Sequence, residues 1–255
     1  MPPIRVSAQL QPQHSDWPQM RRAWSEAEAT GADCLFNWDH FFPLSGDHTG
    51  KHFEALTVLG AMAAVTERVE LGSLVICNSY RNPELLADAH RTLDHISGGR
   101  AILGIGAGWF RKDYDEYGYE FGTVGSRISD LEAALPRIEA RMGKLDPPPL
   151  RGHIPVLIGG GGVKRTLRLV ARHGDIWHAF GDVGVFEEKN AILHEHCARE
   201  GRDPAAIERS WSVGRSDPDE LRAAGVTHFN VGISGSASGY DLGRLRELVA
   251  WRDAL

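Results

Sequence analysis

Apolar residues along the chain fall into two alternating kinds of segment. Short runs of strand length stand at Ile4–Leu10, Cys34–Trp38, Leu71–Cys77, Ala101–Ile105, Val156–Ile158, Ile176–His178, Ser210–Val213 and His228–Ile233. They are continuous rather than alternating, the pattern of parallel strands covered on both faces. Between them the spacing becomes helical. Met20, Ala23, Trp24 and Ala27 recur at i, i+3, i+4 and i+7, and Leu86, Ala89, Leu93 and Ile96 hold one face, as do Val163, Leu167, Val170 and Ala171. Asp16 with Gln19 predicts a capping box. Asn82-Pro83 sets a cap residue before a first-turn proline. Gly31, Gly99, Gly174 and Gly225 stand where a left-handed residue ends a helix.

Eight strand-and-helix units at roughly 30 residues each predict an α/β chain folded as a (β/α)8 TIM barrel, typically about 250 residues, in preference to a doubly wound open sheet. The stretch Leu145–Leu150 holds three consecutive prolines and cannot be helical. The same pattern continues on both sides of it, so it reads as a loop inside one domain spanning residues 1–255.

Composition narrows the function. The 255 residues carry 34 acidic and 28 basic side chains, a net charge of -6 that disfavours a general nucleic-acid partner. No stretch approaches the roughly 20 apolar residues that span a bilayer, and no basic-then-apolar leader opens the chain. Cys34, Cys77 and Cys197 are far apart and form no CxxC pair, so neither a disulfide framework nor a metal site is expected. A cytoplasmic enzyme with a small-molecule substrate, no membrane and no metal is the reading.

In a barrel of this kind the active site lies at the C-terminal ends of the strands. That rule selects Trp38-Asp39-His40, Cys77-Asn78-Ser79, Gly106-Ala107-Gly108-Trp109, Gly159 to Gly162 and Trp177-His178. Gly159, Gly160, Gly161 and Gly162 follow a strand and precede a helix. Bare backbone N–H groups there can close around an anion at the positive helix end, with Lys164, Arg165 and Arg168 adding positive charge. The alternative is a merely flexible turn. Neither a Walker motif nor a Rossmann fingerprint fits, because Val163 separates Gly162 from Lys164, and Lys164 and Trp109 occupy the positions of the last fingerprint glycine. A mononucleotide-type phosphate on a barrel fits better. Asp39 and His40 offer a titratable pair at a strand end, its alternative being a structural histidine at the rim. His194 and His196, at i and i+2 on a helix, read as solvated surface. His14, His48 and His52 lie in or beside early loops, and Glu54 opens a helix where a carboxylate is favoured.

Taken together, these motifs resemble the luciferase-like monooxygenase superfamily, in particular its actinobacterial branch dependent on the deazaflavin coenzyme F420. The resemblance rests on Trp38-Asp39-His40-Phe41-Phe42, Phe53 to Thr57, Leu71 to Val75, Tyr80-Arg81-Asn82-Pro83, Leu93 to Arg100, Leu103 to Phe110, the glycine run with Arg165 to Leu169, and Gly201-Arg202-Asp203-Pro204. It implies a luciferase-like barrel, usually a homodimer, that binds coenzyme F420, or alternatively FMN, with its phosphate on Gly159 to Gly162. It places the reactive ring near His40, and a bulge with a non-prolyl cis peptide near Leu74-Val75 behind that ring. Cys77, Gly106, Gly108 and Trp109 then belong to the cofactor site, and Trp38, Trp109 and Trp177 enclose the ring. Lys164, Arg165, Arg168 and Arg172 suit the anionic tail, and His40 with Asp39 is the catalytic expectation. The implied activity is hydride transfer between the deazaflavin and a small organic substrate. The alternatives are an FMN-dependent monooxygenase, a non-catalytic flavin- or deazaflavin-binding protein, and a barrel enzyme for phosphorylated metabolites. Two features depart from the pattern. Trp109 stands where related sugar-phosphate dehydrogenases place a glutamate, the first acid here being Asp113. The stretches Lys144 to Pro155 and Gly214 to Ala224, expected over the substrate, are short.

Overall fold

The computed structural model of the chain describes residues 3–214 and 216–255. Parallel strands β1 (Arg5–Gln11), β2 (Cys34–Asn37), β3 (Glu70–Ser73), β4 (Ile76–Cys77), β5 (Ala101–Gly106), β6 (Val156–Gly159), β7 (Ile176–Phe180), β8 (Glu208–Ser212) and β9 (His228–Ser236) follow one another around a sheet. The sheet closes where β9 pairs with β1, Arg5 opposite His228. The third predicted run is two strands at one barrel position, β3 and β4, interrupted at Leu74-Val75, and both pair with β5. The barrel thus has the eight strand positions that the apolar pattern predicts, and β10 (Gly239–Tyr240) adds an antiparallel turn on β9.

Around it lie α1 (Trp17–Ala29), α2 (Ala55–Val65), α3 (Pro83–Ser97), α4 (Arg111–Tyr117), α5 (Val124–Met142), α6 (Thr166–His173), α7 (Val183–Glu200), α8 (Pro218–Ala224) and α9 (Gly243–Asp253). Their ends follow the local chemistry. Asp16 and Gln19 close a capping box on α1, and the Asn82 side chain accepts from the Leu85 N–H ahead of Pro83. Gly31, Gly99 and Gly225 are left-handed as predicted. Gly174 is not. It is extended, and its constraint is room, because a Cβ there would stand 3.1 Å from the Val170 carbonyl oxygen.

Two faces of each strand face two environments. Val6, Leu35, Leu71, Leu103, Ile158, Trp177, Trp211 and Phe229 pack with helix residues in the main core. Their neighbours on the other face are fewer in apolar type: Cys34, Phe36, Leu74, Ile102, Leu157 and Ile176 form a small second core. The remaining inward positions are glycine or polar. Ser7 donates to Asn230 (2.9 Å), and Arg5 pairs with Glu70 and Glu208 (3.0 Å to the latter) at the N-terminal end. A barrel interior too narrow for large side chains on every strand is filled by small polar groups that bond one another. No helix of the described residues is long and apolar enough to cross a membrane.

Burial has also trapped three imidazoles in their neutral form. Burial lowers His90 to about 4, and burial with the nearby His228 lowers His178 to about 3. Burial, then the charge of His40, lowers His52 to about 4. Unfolding returns each to an ordinary value near 6.5, so between these limits the unfolded chain binds more protons and stability falls as pH falls. We expect urea stability to hold from pH 8 to about 6.5 and then decline toward pH 4, by up to about 1.4 kcal/mol per pH unit for each histidine. In His90→Leu the decline becomes shallower. An equally steep decline in that variant would remove His90 from the effect.

Candidate active site

The C-terminal ends of the strands surround a cavity of about 510 Å³. Its floor is made by the interruption between β3 and β4. The Leu74-Val75 peptide is cis, at the place the family resemblance implied. The Val75 side chain lies where a Cβ on Gly106 or Gly159 would come within 2.8 or 2.9 Å of it, and a Cβ on Gly104 would strike the Ser73 carbonyl at 2.0 Å. The glycines of β5 and β6 therefore leave the space that the bulge fills. The Val75 N–H has no acceptor among the described residues, whereas the Leu74 N–H donates to Asn37 (2.8 Å) and the Leu74 carbonyl accepts from Gln9.

One wall carries His40. Its Nδ1 bonds Asp113 Oδ2 at 2.7 Å, and the other oxygen of Asp113 accepts the Phe41 N–H at 3.0 Å. Tyr80 Oη donates to the same carboxylate at 3.2 Å. Asp113 lies in the first turn of α4, fully buried behind Cys77, Tyr80 and Tyr114. Because a carboxylate only accepts, Nδ1 carries the proton. His40 Nε2 has no partner among the described residues, and the ring lines the cavity between Trp38, Trp109 and Phe110, each edge-on to it.

The adjacent Asp39 is differently engaged. Arg81 grips its carboxylate through both terminal nitrogens (2.9 Å for Nη2), and the Cys77 N–H donates to it at 2.9 Å. Burial pushes this carboxyl above its ordinary range while Arg81 pulls it back. With its oxygens committed, Asp39 positions the strand ends, and the catalytic expectation narrows to His40. Glu54 caps α2 through the Leu56 and Thr57 N–H groups and also bonds Arg81 (2.8 Å).

Another part of the lining is the glycine loop. Gly160 has φ 125°, its N–H donates to the His178 carbonyl (2.9 Å), and its carbonyl accepts from Trp177 Nε1 (2.9 Å). The N–H groups of Gly161 through Thr166 have no acceptor among the described residues. A Cβ on Gly162 would stand 2.7 Å from Thr166 Oγ1. Gly161, Gly162 and Thr166 thus put free donors on the cavity lining, where larger side chains would intrude, and these fit an anionic group.

Of the residues singled out from sequence, Trp38, Asp39, His40, Leu74, Val75, Cys77, Gly106, Gly108, Trp109 and Gly159 to Gly162 line this one cavity. Lys164, Arg165 and Trp177 do not. Trp177 faces the helices, where it stacks with Phe186 and meets Trp211 edge-on, because it alternates with His178, which is the residue that looks inward. Arg165 and Arg168 are both held by Glu132, and Arg172 by Glu200 at 2.7 Å. Lys164 is exposed and outside the lining. His196 is not solvated surface either. It is buried on α7 and its Nε2 donates to the Val163 carbonyl (2.8 Å), tethering the glycine loop. The stretch Lys144 to Pro155 leads into the N-terminal end of β6 and borders a separate cavity at the other end of the barrel, so it does not cover this site. Gly214 to Ala224 contains α8, and Arg215 lies outside the described residues.

Arg127, Thr166, Ser212 and Gln9 line the cavity without having been anticipated, His178 lines it as the strand-end rule expected, and Asp113 stands behind it. The period-two alternation could have chosen His178 over Trp177, and the acid in the first turn after Trp109 was the available signal for Asp113. His178 is wedged between Ser210 (2.9 Å) and Ser212 (3.2 Å).

With this geometry in hand, the chain can be set beside known proteins. It is 27% identical to the phthiodiolone/phenolphthiodiolone dimycocerosates ketoreductase of Mycobacterium tuberculosis, over 85% of this chain and 68% of that one. Its fold is similar to that of an F420-dependent secondary alcohol dehydrogenase crystallised with an F420-acetone adduct, with a TM-score of 0.83, 16% identity, and coverage of 99% and 98% of the two chains. It is also similar to EDTA monooxygenase from Chelativorans sp. BNC1, with a TM-score of 0.72, 16% identity, and coverage of 87% and 65%. At such identities these structures speak for the fold alone. Residues 1–216 match the model of the luciferase-like monooxygenase family. The chain is therefore an oxidoreductase that belongs to the luciferase-like monooxygenase family.

Proposed function

We propose that the protein transfers hydride between coenzyme F420 and a small carbonyl compound or the corresponding alcohol. The observation that supports this reading is that His40, the Leu74-Val75 bulge and the glycine loop line one cavity. A ketoreductase among the relatives and an alcohol dehydrogenase among the structural neighbours support carbonyl chemistry. Bound deazaflavin supplies the carbon centre that gives or takes hydride. The free N–H groups of Gly161, Gly162 and Thr166 would hold its phosphate, and the bulge with the free Val75 N–H would support the ring.

The proton belongs to His40. Asp113 keeps the Nδ1 proton in place, which leaves Nε2 to give a proton to the carbonyl oxygen on reduction or to take it from the alcohol on oxidation. The buried carboxylate balances the imidazolium when both nitrogens are protonated. Trp38, Trp109 and Phe110 pack edge-on against the imidazole and hold its orientation. An FMN-dependent monooxygenase is the second reading, supported by the likeness to EDTA monooxygenase.

The two readings separate in titrations of the purified protein with F420 and with FMN. We expect F420 to bind more tightly, and preference for FMN would defeat the deazaflavin assignment. Tight binding without turnover over a panel of ketones and secondary alcohols would favour a non-catalytic binding protein. With the preferred cofactor, His40→Ala should lower turnover by about 100-fold or more while changing cofactor affinity little, as for loss of a general acid or base. Asp113→Asn, which no longer selects the Nδ1 tautomer, should lower it by at least about 10-fold. Full turnover in His40→Ala would remove the imidazole from the mechanism.

The protein also acts as a homodimer on this reading, through α2 and α3. Helix α2, ALTVLGAMAAV, has no charged side chain and yet only part of it is buried. Helices that are apolar on all sides are covered on all sides. Leu85 and Ile96 of α3, 64% and 52% exposed, border a groove with Leu56 and Leu59 that continues this apolar face. Sedimentation should give a dimer for the native chain and a monomer for Leu85→Asp with Ile96→Asp. A native monomer at micromolar concentration would refute the pairing.

A further inference from the structure

A second cavity, of about 440 Å³, lies between the C-terminal ends of α5 and α6 and the stretch that leads into β6. Leu103, Leu135, Ile138 and Ile154 make an apolar floor, each of them buried, and Met142 borders it. Leu103 and Val156 stand opposite each other on β5 and β6, and the strands run from there to Gly106 and Gly159 in the lining of the first cavity. The two cavities therefore occupy opposite ends of the same strands, and they share no lining residue.

The polar groups of the second cavity differ in how far they are engaged. Asp175 Oδ2 accepts the Val156 N–H (2.8 Å) and bonds His153 Nε2 (2.7 Å). Arg172 is paired with Glu200 at 2.7 Å. Arg202 is held less closely. Its Nη1 donates to the Val170 and Ala171 carbonyls (3.5 and 3.2 Å), covering the negative end of α6, and its Nη2 stands 3.6 Å from Asp175 Oδ1. Among the described residues Arg202 Nε and Nη2 have no acceptor within hydrogen-bond distance. His173 also lines the cavity, and its ring makes no hydrogen bond among the described residues. The nearest acid to it, Glu139, is 3.9 Å away with its side chain 80% exposed. Burial lowers the His173 pKa, so the ring offers hydrogen bonds without a second charge.

An apolar pocket of this size with a few convergent polar groups is the build of a small-molecule site. Its chemistry selects among ligands. A neutral amphiphile would fill the floor but do less for the open nitrogens of Arg202. An ammonium would meet Arg202 and Arg172 at the mouth. A phosphate dianion asks for more charge than one open guanidinium supplies, whereas the planar fork of an arginine matches a carboxylate. We propose that this cavity is a second binding site, for a monocarboxylate with an aromatic or aliphatic body of about six to ten carbons. The carboxylate bonds Arg202 and His173, and the body lies among Leu103, Leu135, Ile138 and Ile154. The site is separate from the redox cavity and does not rest on the cofactor reading.

Calorimetric titration of the native protein with 4-phenylbutyrate and with hexanoate, each set against its uncharged amide, tests this. At least one acid should bind with a Kd below about 1 mM, and about 10-fold or more tighter than its amide. Two variants locate the binding. Arg202→Met removes the fork, and Met142→Trp fills the cavity while leaving every charge in place. Each should weaken binding of the acid by about 10-fold or more. If Arg202→Met fails to fold once α6 loses its cover, Arg202→Lys, which keeps the charge without the fork, should weaken it by about 3-fold or more. The proposal is overturned if neither acid binds saturably, or if the amides bind as tightly as the acids. Native affinity for the acid in a folded Arg202 variant, or in Met142→Trp, overturns it as well.

Discussion

The site depends on one steric constraint, the seating of Val75 across the barrel interior. Its side chain occupies space that a Cβ on Gly106 or Gly159 would claim, and the bulge that carries it separates β3 from β4. Only because β5 and β6 present bare backbone there can the third strand position bend inward and still resume pairing at Ile76 with Ile105. The bend provides the cavity floor. It also leaves the Val75 N–H without a partner in the barrel, and one unpaired donor on a floor is an invitation to a ligand.

Around that floor the charges are sorted before any ligand binds. Asp39, Arg81 and Glu54 form a closed group that holds the ends of β2 and β4 to the start of α2. Asp113 is spent on His40, Phe41 and Tyr80. His178 is neutral between two serines. What remains open along the lining is small in number: His40 Nε2 and the N–H groups of Gly161, Gly162 and Thr166. An imidazole nitrogen and a set of free N–H donors thus line one cavity with their own protein partners already settled.

Much of the fold was legible because it is written in local patterns. Continuous apolar runs and helical spacing respond to nearest neighbours, so eight strand positions, the Asp16 capping box and the Asn82 cap follow from the chain alone. The glycines at 159 to 162 and the His40 strand end were legible for the same reason: a strand end is a local feature, and barrel strands all deliver their ends to one face. The single misread helix terminator, Gly174, answers to a contact with Val170 rather than to its own dihedral preference.

The sequence by itself determined the architecture, the family resemblance and which strand ends meet. Tertiary structure alone decided partnership. Arg165 and Arg168 look free until Glu132, 33 and 36 residues away, takes them, and Asp113 looks like a helix-capping acid until it meets His40 at a separation of 73 residues. Trp177 looks like a ring-stacking residue until strand alternation turns it toward α7 and puts His178 inside. Charge and hydrogen-bond pairing act over a few ångströms regardless of distance along the chain, so a residue's type can announce what chemistry it is capable of, while only the packed barrel settles whether that capacity is already used.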